Sequence, residues 1–269
     1  MKKDYSIPEH TQVIDKNMSI NELNLCMKDN TYVVGFVENI DSDKRILDVH
    51  LGNNIFGILP FDEATIYPLK YKENQNYPVQ IFSLLNKKIC VKVTSVENGK
   101  ILLSRKANQI DAYNYLSNLD TFTFHITNIY GRMTFGDVGC GVLGVLYINE
   151  LCKSRIRDPH EILSSNSNII VKKIDCDDER DYQFTVSYKQ AFPEYDQKDF
   201  PLHTVVEGFF NEPVDDLYSG YYVYISPQVT GICDRPTGVI GFEYGKRAIF
   251  NIRGYHKQGL KLEFLEFFN

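Results

Sequence analysis

The chain repeats itself with an unusually long period. Three short apolar segments, each built around one glycine, recur at residues 55–60, 142–147 and 229–234, and their central glycines lie 87 residues apart both times. A second anchor recurs in the first two units, at residues 102–106 and 185–189. Solenoid repeats run to about 20–50 residues, so a period of this length indicates tandem whole domains.

Each unit contains short strand-like segments. The clearest pair is residues 91–96 and 100–104, which flank Asn98 and Gly99. Asn-Gly is the strongest short-range signal for a β-hairpin. Further strands are predicted at residues 32–40, 45–51, 122–129, 169–174, 205–210 and 247–252, where Val, Ile, Leu and aromatic residues cluster. Five short strands in about 70 residues, with a longer connection in the middle, suit a closed barrel of the OB type.

Helical signals lie mainly outside these units. Ser19 and Glu22 match a capping box, which predicts a short helix through Met27. Residues 107–119 also have helical spacing, and residues 192–201 are bounded by prolines and read as a linker. The sequence therefore predicts an all-β protein of three tandem five-stranded OB-fold barrels with short connecting helices. The expected divisions are an N-terminal extension (1–30), barrels at 31–106, 121–190 and 203–269, a helical linker at 107–120 and a second linker at 191–202.

Several classes of protein are disfavoured by composition. No apolar stretch approaches the roughly 20 residues that span a bilayer, and no apolar region follows the two N-terminal lysines as in a signal peptide. The six cysteines are dispersed without a C-x-x-C pair, so reduced, buried thiols are expected. We expect a soluble cytoplasmic protein without a membrane partner.

One motif suggests a nucleotide cofactor. Gly139, Gly141 and Gly144 match the G-x-G-x-x-G fingerprint of dinucleotide sites, which must follow a strand and open a helix. Here a strand-like run follows, so a tight turn between strands two and three is favoured over NAD or ATP binding. The histidines lack metal-ligand spacing, and the acidic run 175–181 lacks the glycine and terminal glutamate of a calcium loop. We predict no metal, no cofactor and no catalytic residues.

The repeat anchors resemble the S1 RNA-binding domain, the OB-fold module named after ribosomal protein S1. Residues 135–142 read F-G-D-V-G-C-G-V and residues 154–159 read S-R-I-R-D-P, similar to that family's F-V-D-I-G-C-G-I strand and S-R-I-x-x-P loop. Residues 103–105 resemble the L-S-R that closes the first barrel, and residues 220–232 resemble the third unit's pattern. The three-unit arrangement is similar to the S1-domain proteins of Firmicutes, especially clostridia.

The resemblance implies single-stranded RNA crossing the face of strands two and three. In the family, two aromatic residues stack on bases, a histidine follows the G-L-V, and charged residues come from the last hairpin. In the second unit the two aromatic positions hold Arg132 and Phe135, and Tyr147 replaces the histidine. The second unit is the main candidate for binding, through Arg132, Phe135, Tyr147, Lys153, Arg155 and Arg157.

The other two units depart further from the family pattern. In the third, Tyr218 stands beside the first aromatic position and Tyr222 occupies the second. The first unit offers Lys44 and Leu47 there, and only Lys100 matches the basic hairpin position. The first barrel is therefore expected to be a docking or architectural domain, while Tyr218, Tyr222 and Lys100 complete the candidate RNA contacts.

Net charge does not exclude RNA. The chain carries 29 basic and 35 acidic side chains, a net charge of −6, unlike the positive field of most nucleic-acid-coating proteins. Residues 31–106, 121–189 and 203–269 carry +2, −1 and −2, so most of the negative charge lies outside the barrels. Affinity that is modest, salt-sensitive and carried by stacking is expected.

Two functions remain open at this point. The first is a non-enzymatic single-stranded RNA-binding protein of the S1 type, acting in or near translation with the ribosome as a candidate partner. The second is a protein-interaction adaptor built on degenerate barrels. Structural alternatives also stay open, since Phe135 and Tyr222 could fill barrel cores and Lys153, Arg155 and Arg157 could lie on an ordinary solvated loop.

Overall fold

Three closed five-stranded barrels follow one another along the chain. The computed structural model describes residues 4–15, 18–71, 78–176, 182–214, 220–236, 245–256 and 259–268. Most of the acidic run 175–181 lies outside these residues. The predicted fold class, three tandem OB-fold barrels with short connecting helices, is confirmed.

The elements alternate barrel strands with short helices. The first barrel contains β1 (Tyr32–Asp41), β2 (Ile46–Gly52), β3 (Ile55–Pro60), β4 (Lys88–Glu97) and β5 (Lys100–Ser104); the second contains β6 (Thr121–Tyr130), β7 (Met133–Asp137), β8 (Leu143–Tyr147), β9 (Asn168–Cys176) and β10 (Gln183–Ser187); the third contains β11 (Val205–Pro213), β12 (Gly220–Ser226), β13 (Val229–Asp234), β14 (Arg247–His256) and β15 (Gly259–Phe267). The α-helices are α1 (Ile20–Lys28), α2 (Val79–Phe82) and α3 (Arg105–Leu116). Short 3-10 helices lie at Glu9–Thr11, Phe61–Glu63, Ile148–Glu150, Pro159–Glu161, Lys189–Ala191 and Gln197–Asp199.

The strand order is the same in each barrel. In the first, β1, β2 and β3 form an antiparallel meander, β5 pairs in parallel with β3, and β4 pairs with β1 to close the barrel. The second and third barrels repeat this order. Closure removes the exposed strand edges that would otherwise pair with other chains.

The repeated glycines mark one crowded position in each barrel core. A Cβ atom added to Gly57, Gly144 or Gly231 would lie closer than 3.0 Å to a large core side chain, namely Leu103, Phe124 or Leu262 respectively. Interiors are packed too tightly to absorb that overlap. The 87-residue period therefore reflects a packing requirement that every barrel meets in the same way.

The capping box, the hairpin turn and the second helix that the sequence predicts are all present in the structure. Ser19 and Glu22 form the predicted capping box at the start of α1. Asn98 and Gly99 have φ angles of 50° and 77°, as a two-residue hairpin turn requires. Helix α3 begins at Arg105, two residues before the predicted start, because the Ser104 hydroxyl accepts a hydrogen bond from the Ala107 amide.

A buried ion pair joins the N-terminal segment to the first barrel. The Arg105 guanidinium donates from Nε and Nη2 to the two oxygens of Glu9, at 2.9 and 2.8 Å, and both side chains are more than nine-tenths buried. Arg105 also donates to the Ala64 carbonyl, and the Cys90 amide donates to Glu9. A bidentate pair with its remaining groups hydrogen-bonded is the arrangement that offsets the cost of burying charge.

Asp137, at the end of β7, extends this network. Its carboxylate accepts hydrogen bonds from the amides of Glu9, Gly139 and Gly141, at 2.7 to 3.0 Å. Burial, together with the negative charge of Glu9, raises the pKa of Asp137 to about 7. The turn that leads into β8 is thereby held against the N-terminal segment by Asp137.

The G-x-G-x-x-G motif lies in this turn and has a packing explanation. Gly139 and Gly141 have φ angles of 147° and 78°, and strand β8 follows them where a dinucleotide site needs a helix. A Cβ on Gly141 would overlap the Arg105 guanidinium and the Glu9 carboxylate. The glycines therefore let the turn approach the buried ion pair, as the tight-turn interpretation predicts.

By density of contacts, the described residues divide into two compact units. Unit 1 holds those of 1–125, 136–144 and 175–185, and unit 2 holds those of 126–135, 145–174 and 186–269. The domain boundaries drawn from the sequence stay predictions.

Within the described ranges, no helix is long and apolar enough to cross a membrane, and no group of three or more His, Cys, Asp or Glu side chains is placed to hold a metal ion.

The ion pair leads to a prediction about stability. Replacing Glu9 with Gln leaves the Arg105 charge buried without its bidentate partner, so the free energy of unfolding should fall by about 3–5 kcal/mol. Urea denaturation followed by circular dichroism measures this. The control is Glu263→Gln, which removes the exposed pair with Arg253 and should cost no more than about 1 kcal/mol. Equal losses in the two variants would contradict the assignment.

Asp137 leads to a second prediction, on pH. Its folded-state pKa of about 7 lies above the ordinary value of 3.8, so the folded protein holds this proton more tightly than the unfolded chain. The resulting stability is complete below about pH 4 and is lost as the pH rises through about 7. When the free energy of unfolding of the native protein is compared with that of the Asp137→Asn variant, the difference should fall by about 1 kcal/mol per pH unit across that range. If the free energies of unfolding of the two proteins followed parallel curves against pH, the prediction would be refuted. The control is Asp43→Asn, a substitution on an exposed turn.

Candidate nucleic-acid interface

The outer face of β7 and β8 carries two of the predicted stacking residues. The Ile148 amide donates to the Arg132 carbonyl at 2.9 Å, and the Val138 amide donates to the Val142 carbonyl at 3.0 Å. These bonds set the register in which Met133 faces Tyr147 and Phe135 faces Val145.

Side-chain alternation then places Phe135 and Tyr147 on the same outward side, while Thr134 and Leu146 point inward and are buried. Tyr147 is 43% exposed, and Phe135 is half-buried. Arg132, which precedes β7, is exposed.

The loop that follows β8 is held by hydrogen bonds to the third barrel, all within unit 2. The Lys153 amide donates to the Pro227 carbonyl at 2.9 Å, and the Ser154 hydroxyl donates to Thr230 Oγ1 at 2.9 Å. Ser154 is buried while Lys153, Arg155 and Arg157 are exposed. The alternation directs the three cations outward from a fixed backbone.

Tyr222 receives one of these cations. The Arg155 guanidinium carbon lies 5.7 Å from the centre of the Tyr222 ring, within the range of a cation–π contact. Tyr222 is half-buried on β12. We call this pair the Arg155–Tyr222 platform, since an arginine guanidinium and an aromatic ring are both groups on which a nucleobase stacks.

A cleft of about 740 Å³ gathers the basic side chains of unit 2. Its wall includes five cationic residues and one carboxylate: Arg132, Lys153, Arg155, Arg157, Lys189 and Glu212. The Lys189 ammonium donates to the Asn149 carbonyl at 2.6 Å and pairs with Glu150 at 3.2 Å. A concave surface on which positive charge is in excess focuses the local potential and attracts a polyanion, even on a chain that is acidic overall.

The predicted contacts are therefore distributed unevenly. Arg132, Lys153, Arg155 and Arg157 line the cleft, and the Tyr222 ring lies 5.7 Å from the Arg155 guanidinium carbon. Phe135 and Tyr147 are not among the residues that form the cleft wall. Lys100 is exposed on the β4–β5 hairpin of unit 1. Tyr218 lies outside the described residues.

Sequence reasoning missed two cleft residues. Lys189 occupies the position of Lys106 in the second repeat anchor, so the repeat alignment contained a signal for it. Glu212 carries no such signal, because it lies near the end of β11 with no motif around it.

Sequence reasoning also missed an aromatic pair on the first barrel. His50 and Phe56 face each other across β2 and β3, with ring centres 5.2 Å apart. Phe56 is 47% exposed. The family's aromatic positions fall on Lys44 and Leu47 in this barrel, and Leu47 is fully buried. His50 and Phe56 lie several residues away from those positions, so the family pattern does not point to them.

The chain is similar to a solved structure of another multidomain protein. It is the crystal structure of a multidomain protein with nucleic acid binding domains from Streptococcus pneumoniae TIGR4, at 11% identity, with a TM-score of 0.28 and an alignment that covers 87% of this chain and 73% of that one. No protein-family model and no curated protein matches the chain. The fold assignment therefore rests on the strand order of the barrels themselves.

The exposure of the outer face can be checked by fluorescence, because the chain has no tryptophan. A single Tyr147→Trp substitution should give a red-shifted emission that acrylamide quenches several-fold more strongly than that of Tyr221→Trp. Tyr221 is 5% exposed and serves as the buried control, with circular dichroism confirming that both variants fold. Equal quenching would show that Tyr147 does not face solvent.

Proposed function

We propose that this protein binds single-stranded RNA without catalysing a reaction, as an S1-type protein associated with translation. The observation that carries the proposal is the unit 2 cleft, whose wall brings together five cationic side chains, one of which, Arg155, lies 5.7 Å from the Tyr222 ring. Cations along a groove neutralise the phosphates, and exposed rings stack on the bases whatever their identity. Unpaired RNA is the natural ligand because its bases can be splayed onto such rings.

Several features support the finer parts of this proposal. The residues 135–142 and 154–159 favour the S1 type over other OB-fold proteins. Five cysteines are described as free thiols, as expected in the cytoplasm, where we place the protein. The ribosome is the proposed larger partner, because an RNA-binding protein of moderate affinity gains occupancy when it is held near its RNA.

The binding test separates phosphate contacts from stacking. Fluorescence polarisation with a short labelled unstructured RNA should show affinity that falls steeply with salt. Arg132→Ala and Lys153→Ala should each reduce the slope of log K against log salt by about 0.7, the value for one phosphate contact on a single strand. Phe135→Ala should weaken binding about 5-fold or more with the slope unchanged, since one base loses its stacking partner.

The matched control is Arg253→Ala. Arg253 is an arginine of unit 2 that pairs with Glu263 on the third barrel and is not part of the cleft wall, so its removal should leave the salt slope unchanged. An effect as large as that of Lys153→Ala would mean that only total charge matters. No binding to any RNA at low salt would reject the function.

A second candidate, a protein-interaction adaptor, is favoured by the first barrel. Phe56 and Leu102 lie on the outer surface of this barrel, where they are 47% and 40% exposed. The acidic residues Glu38 and Asp48 lie on neighbouring strands. An apolar face with acidic neighbours suits a basic protein surface better than RNA. A partner that survives nuclease treatment and is lost in Phe56→Ser, with RNA binding absent, would favour the adaptor.

A further inference from the structure

The cleft contains one group that works against the binding of a polyanion. Of the described side chains that form its wall, only that of Glu212 carries a negative charge. Its nearest cation is Arg157, whose Nε lies 3.8 Å from Glu212 Oε1, too far for a direct hydrogen bond. Among the described residues, the Glu212 side chain accepts no hydrogen bond, so its oxygens remain available to a ligand.

The strand geometry places this carboxylate beside the stacking platform. On β11 and β12, Phe210 pairs with Val223 and Pro213 pairs with Tyr221, with a register shift between them. Asn211 and Glu212 together therefore oppose Tyr222, which is a β-bulge. Bulges often re-aim a side chain at a functional site. Here the bulge brings the backbone of Glu212 opposite Tyr222, whose ring centre lies 5.7 Å from the Arg155 guanidinium carbon.

A carboxylate in such a place suits a ligand with hydrogen-bond donors. It cannot contribute to phosphate binding, because like charges repel. Its two oxygens match two adjacent N–H groups, and guanine is the one RNA base that presents such a pair, at N1 and N2. Adenine and cytosine present an amino group beside an acceptor nitrogen, and uracil presents one N–H between two carbonyl oxygens.

We propose that Glu212 reads a guanine base that stacks on the Arg155–Tyr222 platform, giving the cleft a preference for guanine within single-stranded RNA. The inference rests on the proposed function, since it names the base preference of the same cleft. Phosphate contacts from the surrounding cations hold the strand without regard to sequence. Glu212 adds the sequence-dependent contact at one nucleotide.

The test compares short RNAs that differ at one position. Nine-residue oligouridines with guanosine, adenosine, cytidine or uridine at the centre are titrated by fluorescence polarisation. The strand can slide, so the central base can reach Glu212. The guanosine RNA should bind about 5- to 100-fold more tightly than the all-uridine RNA, the range for one bidentate base contact. Inosine, which keeps N1–H but lacks the N2 amino group, should fall between them.

The variant test isolates the carboxylate. Glu212→Gln should abolish the guanosine preference while raising the affinity for the all-uridine RNA, because the amide carries no negative charge. Glu207→Gln, on an exposed part of the same strand, should keep the preference. Circular dichroism establishes that both variants fold.

The outcomes distinguish the two proposals. Equal binding of all the RNAs to the native protein, or a guanosine preference that persists in Glu212→Gln, overturns the role of Glu212 and leaves RNA binding standing. If no RNA binds at any salt concentration, the proposed function fails, and the base preference fails with it.

Discussion

The buried pair of Glu9 and Arg105 is the interaction on which the architecture of unit 1 depends. Two charges that leave water are tolerated only when every oxygen and N–H finds a partner. That requirement joins elements distant in sequence: the N-terminal segment, α3, the Cys90 backbone and, through Asp137, the turn between β7 and β8. Gly141 is needed there because any side chain would occupy the space of the guanidinium. A motif that suggests a dinucleotide site is thus the consequence of an ion pair.

In unit 2 the corresponding turn, between β12 and β13, makes different contacts. There the Pro227 carbonyl accepts a hydrogen bond from the Lys153 amide, and the Gln228 side chain donates to the Lys189 carbonyl. These contacts are made by backbone groups and uncharged side chains, with Tyr188 in the repeat position of Arg105. Because neutral groups make this junction, the lysine and arginine side chains are not consumed by it. They remain at the surface and line the cleft, which is why the same barrel repeat yields a rigid junction in unit 1 and a basic groove in unit 2.

The candidate site could be predicted only in part. Arg132, Lys153, Arg155 and Arg157 are implied by the resemblance to the S1 domain, whose strand and loop motifs are local patterns, and their role in binding stays a prediction. Lys189 and Glu212 were missed, since each meets the others only after the chain has closed one barrel and begun the next. The orientation of Phe135 was also open, because alternation along a strand fixes two opposite faces without saying which of them is the core until the register is known.

The amino-acid sequence by itself determined the number of barrels, their strand pattern, the turn at Asn98 and Gly99, and the helix that begins after Ser19. These follow from short-range rules of side-chain period, backbone conformation and capping, which a single segment can satisfy alone. Only the tertiary structure decided that an acidic chain carries a basic cleft and that one carboxylate lies beside Tyr222. Electrostatic focusing depends on distances between side chains as much as 80 residues apart (Arg132 and Glu212), and those distances exist only once the strands have paired and the barrels have closed.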